Sequence, residues 1–221
     1  MSLPRASARL HGALLAFHSL PLCCRPVIPP FNHSHVLPPF EGERLISAHS
    51  SPYLVGSSQL VQRFAISGER RVILDGLLRY RAQLRHLGFL RGFQWLDGSF
   101  VEDVEAREGR APGDIDLVTF AHPLTGMSND DIKAMMASRP DVFVHERCKE
   151  RFHCDTSLVN LTTSPEWLVT QTRYWYGLYS HRRGDALWKG LLQLPLDSDD
   201  DVARAMLDLL MSQGDHDAGS A

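Results

Sequence analysis

The sequence predicts an α+β domain in which helices flank a mixed sheet, and three observations carry that expectation. Ile73, Leu77, Tyr80, Leu84 and Leu87 recur three and four apart, one apolar helical stripe. Asp114 to Phe120 reads instead as a β-prone run whose side chains alternate between two faces. Strand-like and helix-like segments then follow one another in mixed order with no internal repeat, which argues for an α+β or α/β domain.

Taken in order, the elements begin with an arm. Pro29, Pro30, Pro38 and Pro39 leave Val27 to Phe40 few backbone donors, so this stretch should lie extended on the domain, neither helix nor inner strand. The helix from Gly68 to Gly88 has Ser67 to cap its start and Gly88 to end it. A short strand at Phe93–Leu96 leads into Asp97-Gly98-Ser99-Phe100, and a polar stretch follows from Glu102 to Gly113. After the strand Asp114–Phe120 come a helix over Asp130–Ser138 and a strand over Phe152–Leu161. Ser164-Pro165-Glu166 opens a helix reaching about Tyr179, with proline at its first turn. A last strand over Lys189–Leu196 precedes a helix over Asp199–Met211 with Val202, Met206, Leu209 and Leu210 inward.

Composition narrows the function. The chain has 221 residues, 43% hydrophobic and 22% charged, as expected of a soluble globular protein. With 23 basic residues against 26 acidic and a net charge of -3, it has no field to hold DNA non-specifically. Four cysteines (Cys23, Cys24, Cys148 and Cys154) form no evenly spaced framework, which predicts a reducing, cytoplasmic setting. His145, Cys148, His153 and Cys154 invite a zinc reading, but neighbours in a strand point to opposite faces, so His153 and Cys154 should not share one tetrahedral ion. No apolar run reaches the roughly 20 residues a bilayer span needs. Residues 1–26 resemble a signal peptide faintly, but His18 and Pro21 interrupt the apolar run Ala13–Phe17 and no cleavage pattern follows. They are expected to be a disordered or mis-started extension. Residues 27–213 should form one domain, with 27–66 as its proline-rich arm and 214–221 as a flexible tail.

The chemistry lies in a few acids. Asp114 and Asp116 leave the same face of a strand, about 6 to 7 Å apart along the chain. Their like charges would be relieved by a hard cation such as Mg²⁺. Upstream, Gly98-Ser99 follows a strand, where glycine permits close approach of a ligand and free N–H groups favour phosphate oxygens. Downstream, Asp155 shares a strand face with His153 and Ser157. If that strand pairs beside Asp114–Phe120, three carboxylates converge and could hold two divalent ions about 4 Å apart.

Leu96-Asp97-Gly98-Ser99, then Asp114-Ile115-Asp116-Leu117, then Asp155 resembles the signature of the nucleotidyltransferase superfamily of DNA polymerase β-like enzymes. The chain is also similar to small bacterial nucleotidyltransferase-like proteins at Pro29–Asn32, Leu37–Pro39, Trp95–Asp103, Arg182-Arg183 and Lys189-Gly190. The likeness spans roughly Val27 to Leu196. It implies a Mg²⁺-dependent enzyme, with two ions, that moves a nucleoside monophosphate from an NTP to a hydroxyl. Gly98 and Ser99 would contact the triphosphate, Asp114 and Asp116 would bind metal, and Asp155 would be third ligand and base. Arg182 and Lys189 are the basic residues expected to reach the phosphates. The acceptor is open among protein, tRNA and small molecules, and no membrane is involved. One departure is the fourteen residues Phe100–Gly113 between Ser99 and Asp114, read as a loop insertion over Glu105–Pro112.

Other readings compete. The same fold could bind a nucleotide or a protein without turnover, although keeping three facing carboxylates speaks against a silent site. A metal-dependent nuclease would want a Glu-x-Lys beside the aspartate pair, and none is present. Gly-x-Ser-x-Gly, the Gly-x-x-x-x-Gly-Lys phosphate loop and Gly-x-Gly-x-x-Gly are all missing. Asp199-Asp200-Asp201 at a helix start is expected to complement the helix dipole. Arg173 to Arg183, aromatic and basic, is read as a core-facing helix with snorkelling arginines ahead of a base-stacking surface.

Overall fold

The structure is a computed structural model that describes residues 28–42, 49–123 and 126–218. Cys23, Cys24, the signal-like stretch and the last three residues lie outside them. Five strands form one sheet: β1 (Tyr53–Leu54), β2 (Gly92–Asp97), β3 (Ile115–Ala121), β4 (Cys154–Asn160) and β5 (Leu192–Pro195), in the spatial order β1-β5-β2-β3-β4. β2 runs antiparallel to both β3 and β5, while β1–β5 and β3–β4 are parallel, so the sheet is mixed as expected.

The helices are α1 (Ser57–Phe64), α2 (Gly68–His86), α3 (Val104–Glu108), α4 (Asn129–Ser138), α5 (Pro140–Phe143), α6 (His145–Phe152), α7 (Pro165–Tyr179) and α8 (Asp200–Ala218), with a 3₁₀ turn at Ser99–Val101. The α2 stripe behaves as its spacing requires: Ile73, Leu77, Tyr80 and Leu84 are buried, and Ser67 accepts the Arg70 N–H at the start. Ser128 and Ser164 cap α4 and α7 in the same way.

Alternation along the strands divides the interior in two. Leu96, Ile115, Leu117, Leu192 and Leu194 join α1, α2, α6 and α8 in the larger core. Trp95, Val118, Phe120 and Val159 point to the other face, where Trp175, Tyr176 and Tyr179 of α7 cover them. Asp97, Asp116 and Asp155 belong to this second face by parity and prolong it beyond the apolar residues.

Several expectations are corrected. Residues 27–66 are more than an arm, because they supply β1 and α1, and Val36 and Leu37 are fully buried. A two-residue strand is too short for its alternation to register in sequence. The stretch Glu105–Pro112, read as a loop insertion, includes most of α3, which Asp103 caps and Gly109 closes in the left-handed conformation. The strand predicted from Phe152 starts at Cys154, because α5 and α6 occupy residues 140–152 and His153 closes α6 at φ +53°. His153 is therefore off the Asp155 face. α8 runs through Ala218, beyond Met211 and into the predicted tail. Its inward residues include Ala203 and Leu207, with Met206 and Leu210 packed against them, while Val202 (55%) and Leu209 (60%) are exposed.

Candidate functional site

Strand register builds the site. Asp97 of β2 stands opposite Asp116 of β3, which stands opposite Asp155 of β4, so three aspartates cross the sheet in one row. Asp114 lies two residues before Asp116 at the mouth of β3. Gly98, directly after Asp97, turns the chain at φ +81°, ψ -170°, and a β-carbon there would sit 2.0 Å from Asp116 Oδ2. Only glycine lets this turn lie against that carboxylate.

Above the row is a cavity of about 370 Å³ lined by Gly98, Ser99, Asp114, Asp116, Arg182 and Lys189, six residues that the sequence had singled out. Asp97, Glu102, Tyr179 and Arg183 share its wall. Asp155, the seventh, stands beside Asp116 in register but outside that lining, with its Oδ1 2.6 Å from His145 Nδ1.

The charges are densely paired. Lys189 is buried, with Nζ 3.0 Å from Asp97 Oδ1 and 2.6 Å from Glu102 Oε1. Burial works against its ammonium, but the two acids more than offset this and its pKa is raised. Asp97 is pushed up to about 7 by burial, against the pull of Lys189. Burial also raises Asp116, and repulsion from Asp114 and Asp155 adds to the effect. Lys149 reaches to 2.6 Å from Asp114 Oδ2, and that carboxylate raises the lysine's pKa. His145 and Lys149 are one turn apart on α6, so one helix presents two basic groups to two of the acids.

Arg182 turns out to be engaged within its own loop, paired with Asp185 and donating to the Ser34 carbonyl at 3.0 Å. Beneath the Gly98–Ser99 turn, fully buried Arg70 donates to the carbonyls of Phe100 and Glu102 and to Glu105. Asp97, Glu102 and Arg70 carried no assigned role in the sequence reading. For Asp97 the signal was present, since it sits in the Leu-Asp-Gly-Ser run and ends a strand.

The donor set fits a divalent cation in part. Asp114 and Asp116 offer hard oxygens to one cavity, and Asp114 Oδ2 and Asp97 Oδ1 are buried without an aligned hydrogen-bond donor, although an ammonium is near each. Among the described residues, however, no group of three or more His, Cys, Asp or Glu side chains is arranged to hold a metal ion. The zinc set is likewise not assembled: Cys148 and Cys154 are buried free thiols, and Cys148 donates to the Val142 carbonyl. The run Asp199-Asp200-Asp201 is also structural. Asp200 is buried against Arg81, with Arg85 and Ser57 also on its carboxylate.

A family model described as a family of unknown function, DUF6932, matches residues 29–195. No curated protein and no solved structure matches the chain. Among the described residues no helix is long and apolar enough to cross a membrane.

Proposed function

We propose that the chain, which belongs to the DUF6932 family, is a nucleotidyltransferase that moves a nucleoside monophosphate from an NTP to an acceptor hydroxyl. The observation that carries this reading is the interlock of the Gly98–Ser99 turn with Asp116, with Asp114 on the same cavity wall. Gly98 clears space above the carboxylate, and Ser99 offers its backbone and hydroxyl to phosphate oxygens. Asp114 and Asp116 would hold a divalent ion, for which Mg²⁺ is the candidate. Such an ion supplies Lewis-acid polarisation of a phosphoryl oxygen and offsets charge on the leaving group. The acceptor oxygen bonds to the α-phosphorus, the bond to the bridging oxygen breaks, and pyrophosphate departs. Asp155, joined to His145, is the candidate to receive the hydroxyl proton.

A second reading has an observation of its own. Lys149 and Arg183 already sit against Asp114 and Asp116, as they would in a site that binds a ligand without turnover. The deciding experiment incubates the protein and Asp116→Asn with each α-labelled NTP, Mg²⁺ and a cell extract. Label transfer by the wild type alone supports the transferase. Equal transfer by both proteins, or none with any NTP, moves the assignment to the binding module.

A further inference from the structure

We infer that Arg183, rather than Arg182 or Lys189, is the side chain that takes the charge of the triphosphate. The assignment rests on the nucleotide reading above and adds a residue to it. Its basis is how each cation around the cavity is already engaged.

Lys189 is enclosed by Asp97 and Glu102, and Arg107 pairs with Glu102 and Glu108. Arg110 lies 2.6 Å from Glu108, and His181 Nδ1 lies 3.0 Å from the Gly177 carbonyl. Arg182 is held by Asp185 and the Ser34 carbonyl. Among the described residues lining the cavity, Arg183 is the one cation with no ion-pair or hydrogen-bond partner nearer than 3.7 Å, the distance to Asp116 Oδ1. Its side chain is 81% exposed.

The loop that carries Arg183 is built to hold it there. His181 bridges to Trp188, the Arg182 N–H donates to the Leu187 carbonyl, and the Ala186 N–H donates back to the Arg182 carbonyl. Gly184 and Ala186 take positive φ to close the turn. Arg182 ties this small hairpin to the arm through Ser34 and so works as a positioning residue. Arg183, next to it at the tip, keeps five donors for a ligand that enters over Asp116. A guanidinium so loosely engaged gives up little to meet phosphate oxygens, whereas Lys189 would have to leave buried Asp97 without its cation and Glu102 with Arg107 alone.

The test measures binding of ATP, GTP, CTP and UTP with Mg²⁺ by titration calorimetry, using wild type, Arg183→Gln, Arg183→Lys and a surface control, Lys133→Gln, whose side chain is 78% exposed on α4. Loss of an exposed arginine should leave folding intact. Arg183→Gln should bind the preferred NTP about tenfold more weakly, with a shallower salt dependence, and Arg183→Lys should fall between. Inorganic tripolyphosphate should show the same loss. Equal NTP binding by wild type and Arg183→Gln overturns this assignment and leaves the nucleotide reading standing. A loss confined to nucleotides and not seen with tripolyphosphate also overturns it. Failure of the wild type to bind any NTP overturns the nucleotide reading beneath it.

Discussion

Gly98 and Asp116 interlock: the α-carbon of one lies against the carboxylate of the other, with no room for a methyl group between them. The turn at Gly98 also adopts a backbone region open essentially to glycine alone. Gly98→Ala should therefore cost roughly 1–3 kcal/mol of backbone strain and also push Asp116 out of the cavity. Thermal unfolding should show the lower stability, and labelled NTP transfer should be lost. A Gly98→Ala protein with wild-type stability and transfer would show that the two residues do not constrain one another.

Asp200 and Asp201 separate two explanations of the acidic run at the start of α8. A helix-dipole role would make them equivalent, each worth a few tenths of a kcal/mol to about 1 kcal/mol. Their surroundings differ, however. Asp200 is buried against Arg81, whose side chain is 1% exposed and also donates to Gln94 at 2.7 Å and to the Pro195 carbonyl at 2.8 Å. Asp201 is exposed. Asp200→Ala strands a buried guanidinium and should cost about 3–5 kcal/mol, whereas Asp201→Ala should stay below about 1 kcal/mol. Urea unfolding of the two variants reads the difference directly. Equal losses would return the run to the dipole explanation.

What could be read in the sequence divides along the same physical line. Stripes and caps are local, so α2 and α7 were legible from the stripe Ile73 to Leu84 and from the caps Ser67 and Ser164, while the cap of α4, Ser128, went unread. Asp114 and Asp116 could be placed on one face because a strand's period depends only on the strand. Register is not local. The pairing that sets Asp97 and Asp155 on either side of Asp116 follows from β2 and β4 closing on β3, and nothing in any one segment specifies it. The engagement of Lys189 and Arg182 was hidden for the same reason. Asp97, Glu102 and Ser34 are remote in sequence, so a basic residue near the motif looked available when it was already paired, although Arg182 also pairs with Asp185 only three residues on, a contact local enough to have been read.

Gly76 gives a prediction opposite to its helix propensity. Alanine in a helix interior is favoured over glycine by about 1 kcal/mol. Here a β-carbon would lie 1.9 Å from the Phe152 carbonyl oxygen, at the point where α2 and α6 meet. Gly76→Ala should therefore destabilise the protein in urea unfolding, because the helices must separate. α6 brings His145 to Asp155 and Lys149 to Asp114, so displacing it should also loosen the basic side of the site. Increased stability in Gly76→Ala would mean that the two helices are not packed this closely.

Glu105 supplies the pH dependence that is simplest to isolate. Its carboxylate takes two hydrogen bonds from Arg70, at 2.6 and 2.7 Å, and these hold its pKa below the ordinary 4.5 against a smaller opposing effect of burial. Because the folded pKa is the lower one, the unfolded chain binds the proton first as pH falls. The ion pair's contribution is thus fully present above the unfolded value of about 4.5 and is lost as pH drops through the folded pKa. Glu105→Gln keeps a hydrogen-bond acceptor but removes the charge, so it should be less stable than wild type near neutrality. That deficit should shrink progressively below about pH 4.5, as the wild-type carboxylate also becomes neutral. Chemical unfolding of both proteins at a series of pH values measures the gap. The outcome reaches the site, since Arg70's other donors hold the carbonyls of Phe100 and Glu102 directly below the Gly98–Ser99 turn. A deficit constant from neutrality to about pH 3 would show that Glu105 and Arg70 are not ion-paired, and this support for the turn would have to come from Arg70 alone.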